Sequence, residues 1–144
     1  MKTHRIMTVN VTSIAAEESL QNAWALMQRL KVRHLPLRTR GELYGILSDR
    51  DLLVHARRDV DGSLKFPPLS AGEATTFHPI TCHPTASVGR VARMMIEHKI
   101  DSVPVVDLHG RLMGLVTSTD LLRLIADDEQ DEGILPFTFD LEAA

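Results

Sequence analysis

Two short motifs in the chain combine a hydroxyl and a carboxylate three residues apart. Ser48 precedes Asp51, and Thr117 precedes Asp120. Each motif follows a short apolar stretch that begins with glycine, at residues 45–47 and 114–116. Each also opens a stretch with helical spacing of apolar residues. We therefore expect both pairs of side chains in the first turn of a helix that follows a strand.

Such a motif supports two kinds of chemistry. In a capping arrangement, the hydroxyl accepts a hydrogen bond from a helix N–H group, and the carboxylate accepts one from the N-cap residue. In a binding arrangement, the helix N-terminus and the hydroxyl hold a phosphate. The carboxylate then accepts from the two hydroxyls of a vicinal diol. Phosphate and diol together describe a ribonucleotide, and the motifs alone leave both interpretations open.

The two motifs belong to a longer internal repeat. Pro36 and Pro104, each inside a short apolar segment, are 68 residues apart, and Asp51 and Asp120 are 69 apart. A solenoid needs at least three stacked units, whereas this period occurs only twice. The repeat therefore indicates two similar units packed face to face, which creates two related clefts.

Apolar periodicity predicts the same order of elements, β-α-β-β-α, in both units. The predicted strands cover residues 9–14, 34–38 and 43–47, then 80–82, 103–106 and 112–116. The predicted helices cover residues 17–30 and 48–58, then 87–99 and 117–126, with Ser19 as a candidate cap. The expected fold class is α/β (α+β), with two repeats at residues 3–58 and 69–126 about a pseudo-twofold axis. Residues 59–68 are expected to form a surface linker, and residues 127–144 an acidic C-terminal tail.

Composition narrows the class of protein. A hydrophobic fraction of 44% in 144 residues is sufficient for one compact module. A net charge of −3 gives no general attraction to nucleic acid, so nucleic acid is not an expected partner. The single cysteine excludes an internal disulfide. No apolar run approaches the roughly 18 residues of a membrane span, and the N-terminus lacks a signal core. We expect a cytoplasmic protein without membrane contact.

No pattern in the chain indicates catalysis or a metal site. Glycine-rich phosphate loops and nucleophile elbows are both absent from the sequence. His78, Cys82 and His83 lack the spacing of a four-ligand zinc site, so no metal is expected. We therefore predict that the chain is not an enzyme.

The repeated segments resemble a known family. They are residues 33–37 (RHLPL) and 45–52 (GILSDRDL), and then 101–106 (DSVPVV) and 114–121 (GLVTSTDL). Their order, spacing and duplication resemble a tandem pair of CBS domains, the cystathionine β-synthase-type module also called a Bateman module. The resemblance covers roughly residues 3–126.

The resemblance implies a ligand and a set of contacts. Members of the family bind adenine nucleotides or related adenosyl ligands in the clefts between the repeats. Their phosphate contact corresponds to Ser48 and Thr117, and their ribose contact corresponds to Asp51 and Asp120. The implied adenine walls are Ser13, Ile14, Leu35 and Pro36 in one copy, and Thr81, Cys82, Val103 and Pro104 in the other. The expected ligand is AMP, ADP, ATP or S-adenosylmethionine, with no cofactor, and the sequence does not choose among these ligands.

Residues beside the motifs distinguish the two copies. Arg50 can neutralise phosphate, whereas Thr119 at the matching position cannot, which predicts that the site of Asp51 is the better phosphate receiver. His34, beside the proline strand, is a candidate for stacking or for phosphate contact. Four further cations are candidate phosphate partners: Lys31, Arg33, Arg90 and Lys99.

These features predict a standalone regulatory CBS pair. It would bind an adenosyl ligand, form a homodimer and signal to a regulated protein that the sequence does not identify. The alternative is a structural or protein-interaction module without a physiological ligand, in which both motifs serve only as helix caps.

Overall fold

The first half of the chain builds a three-stranded sheet packed against two helices. Strand β1 (Ile14–Ala15) pairs in parallel with β2 (His34–Thr39), and β2 pairs antiparallel with β3 (Glu42–Ser48). Helix α1 (Leu20–Leu30) connects β1 to β2, and α2 (Asp49–His55) follows β3 directly. The hydroxyl and carboxylate of the first motif thus stand where a strand becomes a helix, as predicted.

The second half repeats this order with a reduced first strand. Helix α4 (Val88–His98) is followed by the antiparallel pair β6 (Ser102–Val106) and β7 (Leu112–Thr117), and then by α5 (Ser118–Asp128). Between the halves lie β4 (Arg57–Arg58), β5 (Leu64–Lys65) and the short helix α3 (Ala71–Ala74). The structure, a computed structural model, describes residues 1–75 and 79–128. His78 and the predicted acidic tail beyond residue 128 lie outside it. The predicted α+β class with two repeats is confirmed.

Helix starts follow their caps, whereas the first strand of each unit is shorter than predicted. The Ser19 side chain accepts from the Asn22 N–H at 3.1 Å and begins α1, as predicted. Residues 9–14 do not form a continuous strand because Asn10 has a left-handed backbone, with φ of 55°. At residues 80–82 only Cys82 pairs, in one parallel bridge to Val105.

Each half has its own core of aliphatic and sulfur-containing side chains. The first core contains Leu20, Ala23 and Met27 from one face of α1, together with the inward residues of β2 and β3 and Leu52 of α2. The second contains Val91 and Met95 of α4 with Cys82, Val103, Val105 and Val116. The helical spacing of apolar residues that predicted α1 and α4 is produced by this burial.

The halves exchange their leading segments. The N-terminal segment packs on the second half, where the Thr3 N–H and hydroxyl both donate to the Ala86 carbonyl at 2.9 and 2.8 Å. Thr8 and Leu115 exchange backbone hydrogen bonds of 2.9 and 3.0 Å. Conversely, the Gly72 N–H of α3 donates to the Ala16 carbonyl at 2.8 Å. The segment that precedes the first unit therefore packs on the second unit, and the segment that precedes the second unit packs on the first.

The connection between the halves contains a hairpin and the short helix α3. Helix α2 ends at His55 rather than at the predicted residue 58, because Arg57 and Arg58 enter a hairpin with Leu64 and Lys65. After the hairpin, the ring of Phe66 packs against Trp24 with the ring centres 5.9 Å apart. The apolar end of the connection thus packs against the first core.

The crossing of the N-terminal segment over β7 depends on Gly114. A Cβ atom at this position would lie 2.7 Å from the Thr8 carbonyl oxygen and 2.9 Å from the Met7 sulfur. We expect Gly114→Ala to lower the free energy of unfolding by about 1–3 kcal/mol, the usual cost of overpacking. The matched control is Gly89→Ala in α4, where an added Cβ meets no atom within 4 Å and the free energy should rise slightly. Urea denaturation measures both, and equal effects of the two substitutions would contradict the role of Gly114.

Candidate functional site

Two clefts lie between the halves, and each contains one of the two motifs. The Thr117 cleft, about 430 Å³, is lined on the first half by residues 8, 10–12 and 30–34, and on the second by Leu115, Thr117, Thr119, Asp120 and Arg123. The Ser48 cleft, about 370 Å³, is lined by His34, Ile46, Ser48, Arg50 and Asp51, and by residues 79–80, 99–102 and 104 of the second half. Each motif therefore faces backbone and side chains supplied mainly by the other repeat.

Most of the polar residues predicted for the site line one of the two clefts, whereas most of the apolar ones do not. His34, Ser48, Arg50, Asp51 and Pro104 line the Ser48 cleft. His34 also lines the Thr117 cleft, with Thr117, Thr119 and Asp120.

The other predicted wall residues border neither cleft. They are Ser13, Ile14, Leu35, Pro36, Thr81, Cys82 and Val103. Leu35 and Val103 are fully buried in the two cores, because alternate residues of β2 and β6 point into them. Their places along the clefts are taken by neighbours: residues 10–12 and 30–34 in one, Ile80 and Ser102 in the other.

In the Ser48 cleft the motif forms a complete capping box. The Asp51 N–H donates to the Ser48 hydroxyl oxygen at 3.1 Å, and the Ser48 N–H donates to Asp51 Oδ2 at 2.8 Å. The Arg50 N–H is also used, since it donates to Asp49 Oδ1 at 2.9 Å. The other carboxylate oxygen of Asp51, Oδ1, makes no hydrogen bond within the part of the chain that the structure describes.

In the Thr117 cleft the same motif has a different bonding pattern. The Thr117 N–H and hydroxyl both donate to Asp120 Oδ2, at 2.8 and 3.2 Å. The Asp120 side chain is only 11% exposed, and its Oδ1 lies 3.8 Å from the Arg123 guanidinium. No side chain of the described residues accepts from the N–H of Thr119 or Asp120. The first turn of α5 therefore retains hydrogen-bonding capacity that the first turn of α2 has used.

His34 connects the two halves at the boundary of both clefts. Its side chain is 6% exposed, and its Nε2 lies 2.8 Å from Oδ1 of Asp101, which directly precedes β6. Burial alone would raise the pKa of Asp101. The hydrogen bond from His34, with the charges of His34 and Arg50, outweighs burial and holds the pKa below its usual value of 3.8. Asp101 is therefore a stable negative charge in the Ser48 cleft.

This shift gives stability a pH dependence of known sign. A carboxyl whose pKa is lower in the folded state stabilises the fold above its usual pKa and stops doing so as the pH falls. We expect Asp101→Asn to be destabilising at pH 5, and the difference from the parent to shrink as the pH falls below 3.8. Urea denaturation between pH 6 and pH 2.5 checks this. A difference that grows toward low pH would contradict it.

Asp101 and Arg123 line the clefts although neither was predicted as a site residue. Asp101 occupies the position that matches Arg33 in the repeat, so a reversal of charge at the start of the proline strand was a visible signal. Of the four additional cations, Lys31 and Arg33 line the Thr117 cleft and Lys99 lines the Ser48 cleft, whereas Arg90 borders neither. Lys31 and Lys99 reach the clefts because each ends its helix with a left-handed backbone, with φ of 54° and 53°.

Two further observations concern metal binding and membrane-spanning helices. Among residues 1–75 and 79–128, no cluster of three or more His, Cys, Asp and Glu side chains is arranged to hold a metal ion. In the same residues, no helix has the length and apolar character needed to cross a bilayer.

Two repeats that share a β-α-β-β-α order, exchange their leading segments and enclose paired clefts define the class of tandem CBS-type modules. The sequence profile of the CBS domain family matches residues 4–58 and 71–127. The chain belongs to the CBS domain family, as its sequence motifs predicted.

Known proteins resemble the chain over different lengths. The CBS domain-containing protein YhcV of Bacillus subtilis is 30% identical over 115 residues, which cover 80% of this chain and 79% of YhcV. The L-aspartate semialdehyde sulfurtransferase of Methanocaldococcus jannaschii is 38% identical over 52 residues, which cover 36% of this chain and only 10% of that protein. Among solved structures, the CBS domain pair of protein MJ0100 is 26% identical with a TM-score of 0.76, over 89% of this chain and 98% of that one. That pair was solved in complex with 5′-methylthioadenosine and S-adenosyl-L-methionine.

Proposed function

We propose that this CBS pair is a regulatory module that binds an adenosyl ligand in the clefts between its repeats. The ligand is an adenine nucleotide or another adenosyl compound such as S-adenosylmethionine. The observation that carries the proposal is the presence of a carboxylate in each cleft, Asp51 and Asp120, each opposite backbone and side chains of the other repeat. The MJ0100 pair, which is similar along its whole length, holds adenosyl ligands.

Capping does not prevent either aspartate from binding a ribose. A carboxylate offers about four acceptor positions, and the cap uses Oδ2 in both motifs. Oδ1 remains able to accept from a hydroxyl. In addition, Asp120 is largely withdrawn from solvent, so its charged hydrogen bonds to a ligand are screened less than at the surface.

The direct experiment is mass spectrometry of small molecules released when the purified protein is denatured. We expect an adenosyl compound at a ratio near one or two per chain. Calorimetry with adenosine, AMP, ADP, ATP and S-adenosylmethionine then ranks the candidates. A protein that releases no adenosyl compound and binds none of the five would contradict the proposal.

Signalling follows from the position of the ligand between two packing units. A ligand that contacts both repeats favours the geometry in which both sets of contacts are made, and it shifts the population toward that geometry. The change is passed to a regulated partner protein by altered surfaces, without catalysis by this chain. The single cysteine is buried and free, which suits a reducing compartment such as the cytoplasm.

The module is also proposed to form a homodimer through α2 and α5. These helices expose large apolar side chains: Leu53 at 48%, Val54 at 81% and Leu122 at 64%. Such side chains are typical of an interface rather than of a solvated helix face. Sedimentation at tens of micromolar should return a dimer of 16.0 kDa chains, and Val54→Lys with Leu122→Lys should return monomers. A monomeric parent protein would contradict this prediction.

The second candidate function is a structural or interaction module without a physiological ligand. One observation favours it. The hydrogen bonds between Ser48 and Asp51 cap α2, and those from Thr117 to Asp120 hold the start of α5, without any ligand. Under this alternative, substitution of either aspartate would change stability and leave nucleotide affinity unaffected.

A further inference from the structure

The repeat places opposite charges at matching positions of the two clefts. Arg33 and Asp101 occupy the same place in their repeats, just before the proline strand, and each contributes to one cleft only. Their backbone carbonyls also form equivalent hydrogen bonds. The Arg33 carbonyl accepts from the Asp49 N–H, and the Asp101 carbonyl accepts from the Ser118 N–H, both at 2.9 Å. The two side chains are therefore equivalent in position and opposite in charge.

In the Ser48 cleft, the positive charges are balanced by carboxylates of the same cleft. Arg50 and Lys99 line it together with two carboxylates, Asp51 and Asp101, of which Asp101 accepts a hydrogen bond from His34. Arg50 and Asp101 line the same cleft, and the positive charge of Arg50 is one of the influences that lower the pKa of Asp101. A phosphate brought to Arg50 would also approach Asp101, and the repulsion between the two anions opposes binding.

In the Thr117 cleft, the cations exceed the carboxylates. Lys31, Arg33 and Arg123 line it with a single carboxylate, Asp120. Only Arg123 approaches that carboxylate, at 3.8 Å, and neither Lys31 nor Arg33 pairs with any acid among the described residues. Two cations on the first half are thus free to bind an anion in this cleft.

The first turns of α2 and α5 also differ in the hydrogen-bond donors that they leave free for a ligand. In α2, which has seven residues, the N–H groups of Arg50 and Asp51 already donate to side chains. In α5, which has eleven, the Thr117 hydroxyl donates to Asp120, and no described side chain accepts from the N–H of Thr119 or Asp120. The Thr119 hydroxyl also makes no hydrogen bond to a described residue. Hydrogen-bond donors and unpaired cations therefore coincide in the Thr117 cleft.

We infer that the two clefts sort adenosyl ligands by charge. The Thr117 cleft takes the phosphate-bearing nucleotide, and the Ser48 cleft takes an adenosyl ligand without phosphate, with Arg33 and Asp101 determining the difference. This inference rests on the proposed function, because it assigns ligand classes to the same clefts. It also reverses the order that the sequence predicts from Arg50 and Thr119 alone, because Asp101 offsets Arg50.

The test compares two arginines that each line one cleft. Calorimetry with ADP and with adenosine is performed on the parent, Arg33→Gln and Arg50→Gln, with Arg93→Gln, an exposed α4 residue outside both clefts, as an inert control. Loss of a charged hydrogen bond should weaken ADP binding by about 10-fold or more in Arg33→Gln. Adenosine affinity should change by less than about threefold, which also demonstrates that the variant is folded. Arg33→Lys, which keeps the charge, should recover part of the ADP affinity.

Arg50→Gln should alter tight ADP binding by less than about threefold, and Asp101→Asn should strengthen ADP binding to the Ser48 cleft by about 10-fold. An ADP loss in Arg50→Gln equal to or greater than that in Arg33→Gln would overturn the charge assignment while leaving adenosyl binding intact. If the parent bound neither ADP, adenosine nor S-adenosylmethionine, the proposed function itself would fail. The two failures are therefore distinguishable.

Discussion

Replacing Asp120 by asparagine should weaken binding of ADP by about 10- to 150-fold. This range corresponds to the loss or weakening of charged hydrogen bonds of about 1.5–3 kcal/mol to the ribose hydroxyls. The substitution preserves the size of the side chain, and the amide oxygen can still accept from the Thr117 N–H. The free energy of unfolding should therefore fall by no more than about 0.5–2 kcal/mol, the usual cost of a lost cap.

Calorimetry and urea denaturation on the same samples separate binding from capping. Asp51→Asn is the matched variant in the other cleft, and it should weaken binding of adenosine there while leaving the affinity for ADP largely unchanged. Glu97→Gln, on the exposed side of α4, controls for the loss of one negative charge. If the double variant Asp51→Asn, Asp120→Asn bound its ligands as tightly as the parent protein, the ribose assignment would be wrong and only the capping role would remain.

The features that the sequence predicted well are those set by local chemistry. Ser19, Ser48 and Ser87 begin helices because each side chain caps the N–H three residues further on, wherever the rest of the chain lies. The proline strands and their partners follow from apolar runs bounded by turns. At Arg40 and Gly41, for example, φ values of 53° and 79° match a two-residue hairpin.

The features that the sequence did not predict depend on distant parts of the chain. The hydrogen bond from Thr3 to Ala86 spans 83 residues, and the hydrogen bond between His34 and Asp101 spans 67. No periodicity indicates that the leading segment of each repeat completes the other repeat. The lining of the clefts has the same origin, because packing of two cores decides which residues of β2 and β6 are buried and which neighbours border a cleft.

Charge balance within a cleft is also a property of the assembled halves. Within its own repeat, Arg50 is a cation beside the motif and favours phosphate. Asp101 lies about fifty residues further along the chain and reaches the same cleft only after the repeats have packed. The balance of charge in each cleft can therefore be determined only when the packing of the two halves is known.

Ligand binding should raise the melting temperature of the protein by roughly 5–11 °C. A ligand that binds only the folded state, at about 100 times its dissociation constant, stabilises that state by roughly 2.7 kcal/mol. For a chain of this length, 1 kcal/mol corresponds to about 2–4 °C. Because both clefts join the two repeats, a bound ligand opposes their separation, and the whole module should melt at the higher temperature.

A thermal-shift panel measures this effect. We expect a shift in this range with at least one adenosine compound, and smaller shifts with the corresponding guanosine and cytidine compounds, because the diol and phosphate are shared and only the base differs. The shift should shrink in Asp120→Asn for ADP and in Asp51→Asn for adenosine, and it should persist in Glu97→Gln. Equal and negligible shifts with every compound would favour the structural alternative, since a module whose motifs serve only as caps gains nothing from a nucleotide.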